Sequence, residues 1–192
     1  MNARERILNA GARIIHQEGF YNTGLAKVLE AAEVPKGSFY FHFKNKEDFG
    51  LHLIDYFAEH LRTERNKFFR ERDRSHIEKM RRMFKWQAES FSKNDFKGGC
   101  PLGNLAQETG DCNEKFREKL DRVFMEIKKE LALQLELAKK AGEISESINC
   151  NETADFMMAS WEGVLMQMKV SKIIMPHEVF DRMIFEKLLT RC

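Results

Sequence analysis

The chain has 192 residues, 43% hydrophobic and 32% charged, with a net charge of +2. That balance excludes a wholly disordered chain, and it excludes a global polycation, so any affinity for nucleic acid must come from local placement of charge. No apolar run approaches a membrane span and the start, MNARERIL, lacks a signal-peptide core, so a soluble, cytoplasmic protein with no membrane partner is expected.

Leu, Met, Phe, Lys, Glu and Arg dominate and only three prolines occur, which points to an all-α chain. Ile7, Leu8, Gly11, Ile14 and Ile15 recur at helical spacing, and Gly19 stops that helix. Thr23 is the expected N-cap of a short second helix whose stripe is Leu25, Val28, Leu29 and Ala32. After a turn at Glu33–Val34, Pro35 opens a third helix. Asn45 is placed to cap a fourth helix, 46–70, with Glu47 and Asp48 at its positive end. Ile77, Met80, Phe84, Ala88 and Phe91 mark a fifth helix, residues 92–99 a loop, and 100–108 a short helix. The segment 113–141 reads as one long helix of roughly 40 Å. A helix from Asn151, its expected cap, to about Ile174 is apolar on more than one side, and Pro176 opens the last helix. The expected domains are a three-helix helix-turn-helix at 1–48, a connecting helix at 46–70, and a helical domain at 71–192.

The stretch VPKGSFYFHFKNKEDF, residues 34–49, interleaves aromatics with Lys36, His42, Lys44 and Lys46 and has no acid before Glu47. Phe39 and Phe43, four apart, face inward together, which leaves Lys36, Gly37, Ser38, Tyr40 and Phe41 on or beside the outer face. Such a helix buries one side and offers a cationic, hydrogen-bonding side to the major groove. Lys36 can donate to guanine, Ser38 to several base edges, and Gly37 lets the backbone approach closely. Tyr40 and His42 can donate to phosphates, while Lys46 and Thr23 sit at helix starts where an anion is also attracted. Taken singly, Tyr40 also fits a core position and Lys44 and Lys46 fit a solvated surface.

Through Gly19–Phe20, Thr23, Ala32, Val34, Gly37, Tyr40, Phe43, Lys46 and Glu47, residues 3–62 resemble the DNA-binding domain of the TetR family of bacterial transcriptional repressors. The resemblance implies that the third helix reads bases through Lys36, Gly37 and Ser38 while Tyr40 and Lys46 grip phosphates of an operator duplex. It also implies that the remaining helices bind a small effector and form a homodimer, expected through residues 151–192. Two positions depart from the pattern. Glu33 stands where glycine is usual in the turn, at a strain of ~1–2 kcal/mol if left-handed. Gly50 interrupts the fourth helix, at a cost of up to ~1 kcal/mol.

Effector candidates are Phe84, Trp86, Phe91, Cys100, Leu102, Phe124, Met158, Trp161 and Met168, because aromatics and methionines suit an adaptable apolar pocket as well as ordinary core. Cys100 stands out in GGCPLGN, at an expected helix start where the dipole lowers a thiol pKa. A similar glycine-cysteine turn occurs in family members that resemble electrophile sensors, so Cys100 is read as either a sensing thiol or a structural one. Cys112, Cys150 and Cys192 show neither close pairing nor finger spacing and are read as thiols. No cofactor, metal or catalytic residue is expected. No histidine has a glutamate three residues before it, as a di-iron bundle needs, and Gly98, Gly99 and Gly103 lack a Walker ending. His52, Asp55 and Glu59 read as a solvated face. A helical adaptor that does not bind DNA remains the rival reading, and it predicts no salt-dependent duplex binding.

Overall fold

In the computed structural model, which describes residues 1–190, Asn2 and Glu5 open the first helix with a reciprocal cap. Asn2 accepts from the Glu5 N–H (2.9 Å) and the Glu5 carboxylate accepts from the Asn2 N–H (3.0 Å). The helices are α1 (Ala3–Glu18), α2 (Leu25–Ala31), α3 (Lys36–His42), α4 (Lys46–Phe69), α5 (His76–Lys93), α6 (Pro101–Thr109), α7 (Glu114–Lys140), α8 (Cys150–Ser171) and α9 (Met175–Met183). A short π-helical turn, Ile184–Leu188, continues α9. No strand occurs among the described residues, as the composition predicts.

The chain packs as two compact units, and chain order does not separate them. The first joins Met1–Leu61 to Pro101–Val123. The second joins Arg62–Cys100 to the chain from Phe124 onward.

Aromatic rings organise the first unit. Phe39, Phe43 and Phe49 are buried, with ring centroids 5.2–5.8 Å apart. Two glycines make room for rings. A Cβ on Gly11 would lie 2.4 Å from Cζ of Phe49, and one on Gly50 would lie 2.4 Å from Phe116 and 2.6 Å from Phe20. Gly50 is therefore a packing requirement inside α4, where sequence pattern alone suggested an interruption. Asn45 caps α4 as expected, accepting from the Asp48 N–H at 2.8 Å. Thr23 does not cap α2. The helix begins one residue later, behind Gly24, and the Thr23 hydroxyl donates instead to the Gly19 carbonyl at 2.7 Å. Glu33 adopts the left-handed conformation (φ 53°), and Arg6 donates to its carbonyl.

In the second unit, Phe84, Trp161 and Phe180 form a closed triangle of rings with centroids 4.9–5.4 Å apart. Arg81 ties α5 to α9 through Asp181, donating from Nε at 2.9 Å. The cap of α8 is Asn149 rather than Asn151: its side chain accepts from the N–H groups of Asn151 (3.2 Å) and Glu152 (3.3 Å). Cys100, Cys112 and Cys150 are not in disulfides, and Cys192 lies outside the described residues.

Candidate nucleic-acid interface and effector region

The seven residues of α3 divide cleanly by face. Phe39 is fully buried and Phe43, just past the helix end, nearly so, whereas Tyr40 is 55% and Phe41 86% exposed. Lys36 and Gly37 are exposed, and Ser38 and His42 are half-buried on the flanks. A Cβ on Gly37 would meet nothing within 4 Å, so the chain itself does not demand glycine there. Between α2 and α3 lies a recess of about 380 Å³, with Lys36 and Tyr40 among its walls beside Leu25, Leu29 and Phe39. Large exposed aromatics next to a lysine, on a helix held from beneath by two phenylalanines, suit a groove lined with phosphates and base edges.

Lys46, the first residue of α4, is held by the chain just before α2. Its ammonium donates to the Tyr21 carbonyl at 3.3 Å and stands 4.9 Å from the Phe20 ring centroid. Burial pushes its pKa down from the ordinary lysine value, and the charge of Glu108 acts against that push. Thr23 is brought close to this corner but is only 1% exposed, and its hydroxyl is spent on Gly19. The expected outward role for Thr23 is therefore not how its side chain is held. Beside Lys46, Glu47 accepts from Lys115 (2.5 Å) and Asn113 (2.9 Å), and these bonds, Lys115's first, hold its carboxyl below the usual range.

The effector candidates do not gather into one place. Phe84 and Trp161 meet in the closed aromatic triangle, with Met168 fully buried. Phe91 stacks edge-on to Phe96 (5.7 Å), and Trp86 packs against Phe68 (5.7 Å). Leu102, fully buried, belongs to the first unit. Phe124 and Met158 are half-buried.

Cys100, half-buried, directly precedes α6 and follows a loop with four left-handed residues: Asp95, Phe96, Gly98 and Gly99. Lys172 holds that loop by donating to the carbonyls of Asp95 (3.3 Å) and Phe96 (3.1 Å). Opposite the thiol stands Glu162. Burial pushes the Glu162 carboxyl up from its ordinary range, and a hydrogen bond from Cys100 acts against that push. Its Oε1 is buried without a hydrogen-bond partner. The buried Cys150 thiol is different: burial first, then Glu136, push its pKa up to about 11, so it stays protonated near neutrality.

Residues 76–184 match the family description "Tetracyclin repressor-like, C-terminal domain", and residues 7–52 match "Bacterial regulatory proteins, tetR family". The chain belongs to the TetR family. It is similar to the transcriptional regulator AcuR of Cereibacter sphaeroides, 29% identical over 189 residues that span 98% of this chain and 86% of AcuR. It is also similar to the transcriptional repressor DhaR of a Mycobacterium species, 28% identical over 97% of this chain and 92% of DhaR. Among solved structures, the reduced form of Escherichia coli NemR aligns with a TM-score of 0.88 at 26% identity, covering 97% of this chain and 96% of that one. This TetR-family chain is thus a DNA-binding transcriptional regulator with an N-terminal helix-turn-helix and a C-terminal helical domain. Among the described residues no helix is long and apolar enough to cross a membrane.

Two features of this regulator escaped sequence reasoning. The first is an open apolar groove of about 760 Å³ on α8 and α9, lined by Phe156, Gly163, Val164, Val179, Met183 and Leu188 among others. None of the nine effector candidates lines it. Apolarity on more than one side of α8 was the available signal, but periodicity alone could not say which apolar residues stay exposed. The second is Glu108. Its carboxylate accepts from the backbone N–H groups of Phe20 (2.7 Å) and Tyr21 (2.6 Å), a partnership across 88 and 87 residues that leaves no mark in local pattern.

Proposed function

We propose that this regulator represses transcription as a homodimer on a pseudo-palindromic operator, and that a small apolar or electrophilic effector releases it. The observation that carries the reading is the two-faced α3: Phe39 and Phe43 inward, Lys36, Gly37, Tyr40 and Phe41 outward. Lys36, Gly37 and Ser38 contact base edges, Tyr40, Phe41 and His42 lie against the backbone and groove wall, and Lys46 takes a phosphate. Residues 1–48 read the operator, 46–70 connect, and 71–192 bind the effector and dimerise.

The exposed apolar groove on α8 and α9 supports a second copy as partner, because a contiguous patch of that kind is costly to leave in water. Dimerisation then sets two recognition helices about 34–36 Å apart, or a multiple of that, along the duplex. The described form of NemR is a reduced one. Carried to this chain, it adds weight to Cys100, hydrogen-bonded to Glu162, as the thiol that an electrophile or oxidant modifies. To act, modification must disfavour the DNA-bound state by ~1–3 kcal/mol.

The test is footprinting and salt-titrated binding on the DNA upstream of the coding region. Replacing Tyr40 or Lys46 by alanine weakens every site; the salt slope falls by about 0.9 for Lys46, whose charge neutralises a phosphate, and stays unchanged for the neutral Tyr40. Replacing Lys36 shifts sequence preference by about 1–3 kcal/mol at one position. Duplex binding without salt dependence refutes the operator reading and favours a protein adaptor. Full modification of Cys100 with unchanged operator affinity refutes the sensing role.

A further inference from the structure

Glu108 is next to last in α6, and α6 starts at the residue after Cys100. At the end of the helix the Thr109 hydroxyl, fully buried, donates within α6 to the Leu105 carbonyl at 2.6 Å. Beside it the Glu108 carboxylate accepts from two successive backbone amides, Phe20 (2.7 Å) and Tyr21 (2.6 Å), one with each oxygen. Charge-assisted bonds of this length are stronger than neutral ones and fix orientation.

The gripped corner is shaped for it. Gly19 has φ +88°, a conformation side chains rarely adopt, and a Cβ there would lie 3.2 Å from both Glu108 carboxylate oxygens. The backbone conformation favours glycine, and a Cβ would also push the carboxylate back by a few tenths of an ångström. Three elements of the DNA-binding unit converge on the same few atoms. The Thr23 hydroxyl bonds the Gly19 carbonyl just before α2. Lys46, the first residue of α4, bonds the Tyr21 carbonyl and covers the Phe20 ring. The Phe20 ring in turn packs on Phe116 at 5.1 Å, against the space left by Gly50.

We propose that Glu108 is a positioning residue for operator binding: its carboxylate holds the Phe20–Tyr21 corner from which α2 and Lys46 take their places. This statement rests on the reading of α3 and Lys46 as the operator-binding surface. Glu108 itself touches no DNA in this scheme. Its loss alters where Lys46 and α3 sit without removing a phosphate partner.

Two measurements on the full-length protein test it, using Glu108→Ala and Glu108→Gln. Glu108→Ala lowers operator affinity about tenfold or more, with the slope of log affinity against log salt unchanged, whereas Lys46→Ala lowers affinity and slope together. Glu108→Gln, which keeps one acceptor oxygen, falls between wild type and alanine, and it serves as the deciding variant if the alanine form does not fold. In both variants the Phe20 and Tyr21 amides lose hydrogen-exchange protection while those of α8 keep theirs. Wild-type affinity in Glu108→Ala, a reduced salt slope, or full protection of both amides overturns the positioning role.

Discussion

In the first unit the buried polar residues are Thr23 and Thr109, and each hydroxyl donates to a carbonyl four residues back in the chain. In the second they are Arg65, Lys79, Gln134, Thr153 and His177, joined by a Glu162 whose Oε1 is buried without a partner. Hydroxyls satisfied within one turn cost little to bury, whereas Glu162 and His177 are held in a poorly polar interior against the preference of their charged forms for water. The first unit is built from rings locked around glycines, Gly11 under Phe49 and Gly50 under Phe20 and Phe116. The second combines a ring triangle with groups whose charge state burial disfavours: His177 is pushed down from its ordinary pKa and Glu162 up. A body of the first kind presents a fixed surface to DNA. A body of the second kind has interior groups whose balance a proton, a ligand or a covalent adduct can shift.

The surfaces differ in the same sense. The exposed aromatics of α3 are flanked by cations, while Phe156, Val179, Met183 and Leu188 face outward around a groove with Lys187 as its one charged wall residue among the described residues. Mixing charge into that groove produces the largest effect expected here. Val179→Asp with Met183→Asp, one turn apart on α9, places two carboxylates on the proposed dimer surface, and burying each unpaired costs several kcal/mol. The apparent mass in sedimentation then halves at micromolar concentration with helicity retained. An unchanged mass removes α9 from the interface.

The packing contrast is sharpened by Gly50→Ala. By propensity alone this change stabilises α4 by up to ~1 kcal/mol. A methyl 2.4 Å from Phe116 and 2.6 Å from Phe20 forces both rings aside, and overpacking of this kind costs about 1–3 kcal/mol. The expected result is a net loss of about 1–2 kcal/mol in urea unfolding, together with weaker operator binding. A gain in stability would mean that the rings relax freely and that the first unit is less rigid than its geometry indicates.

Much of α3 was legible in the sequence because it depends on local spacing. The interval from Phe39 to Phe43 sets the inward face, and the outward face follows from helical geometry. The strain at Glu33 was legible for the same reason, since it is a property of one turn, and the left-handed φ of 53° is there. What pattern could not supply depends on residues far apart. Gly50 looks like an interruption until Phe116 is known to stand over it. Glu108 looks like any helical glutamate until Phe20 and Tyr21 turn their amides toward it. Thr23 was misjudged because hydroxyls cap helices and also close turns, and only the fold decides between the two. The effector candidates scattered because aromatic and methionine positions fill cores as readily as they line pockets.

The smallest expected effect concerns the charge balance of the second unit. Burial raises the Glu162 carboxyl above its ordinary range, so between the unfolded value, about 4.3, and the folded one the native state holds a proton that the unfolded chain has released. Stability therefore falls as pH rises through that window and levels off above the folded pKa. Glu162→Gln removes this contribution. Its stability relative to the parent protein should grow with pH across the window in a series of urea titrations, and parallel curves would mean that Glu162 ionises in the folded state as easily as in water. The hydrogen bond from Cys100 works against the upward push. Alkylating Cys100 removes that donor, so the window widens and the loss of stability with pH becomes larger in the alkylated protein. The same adduct leaves the Glu162→Gln curve unmoved by pH, because glutamine has no proton to release.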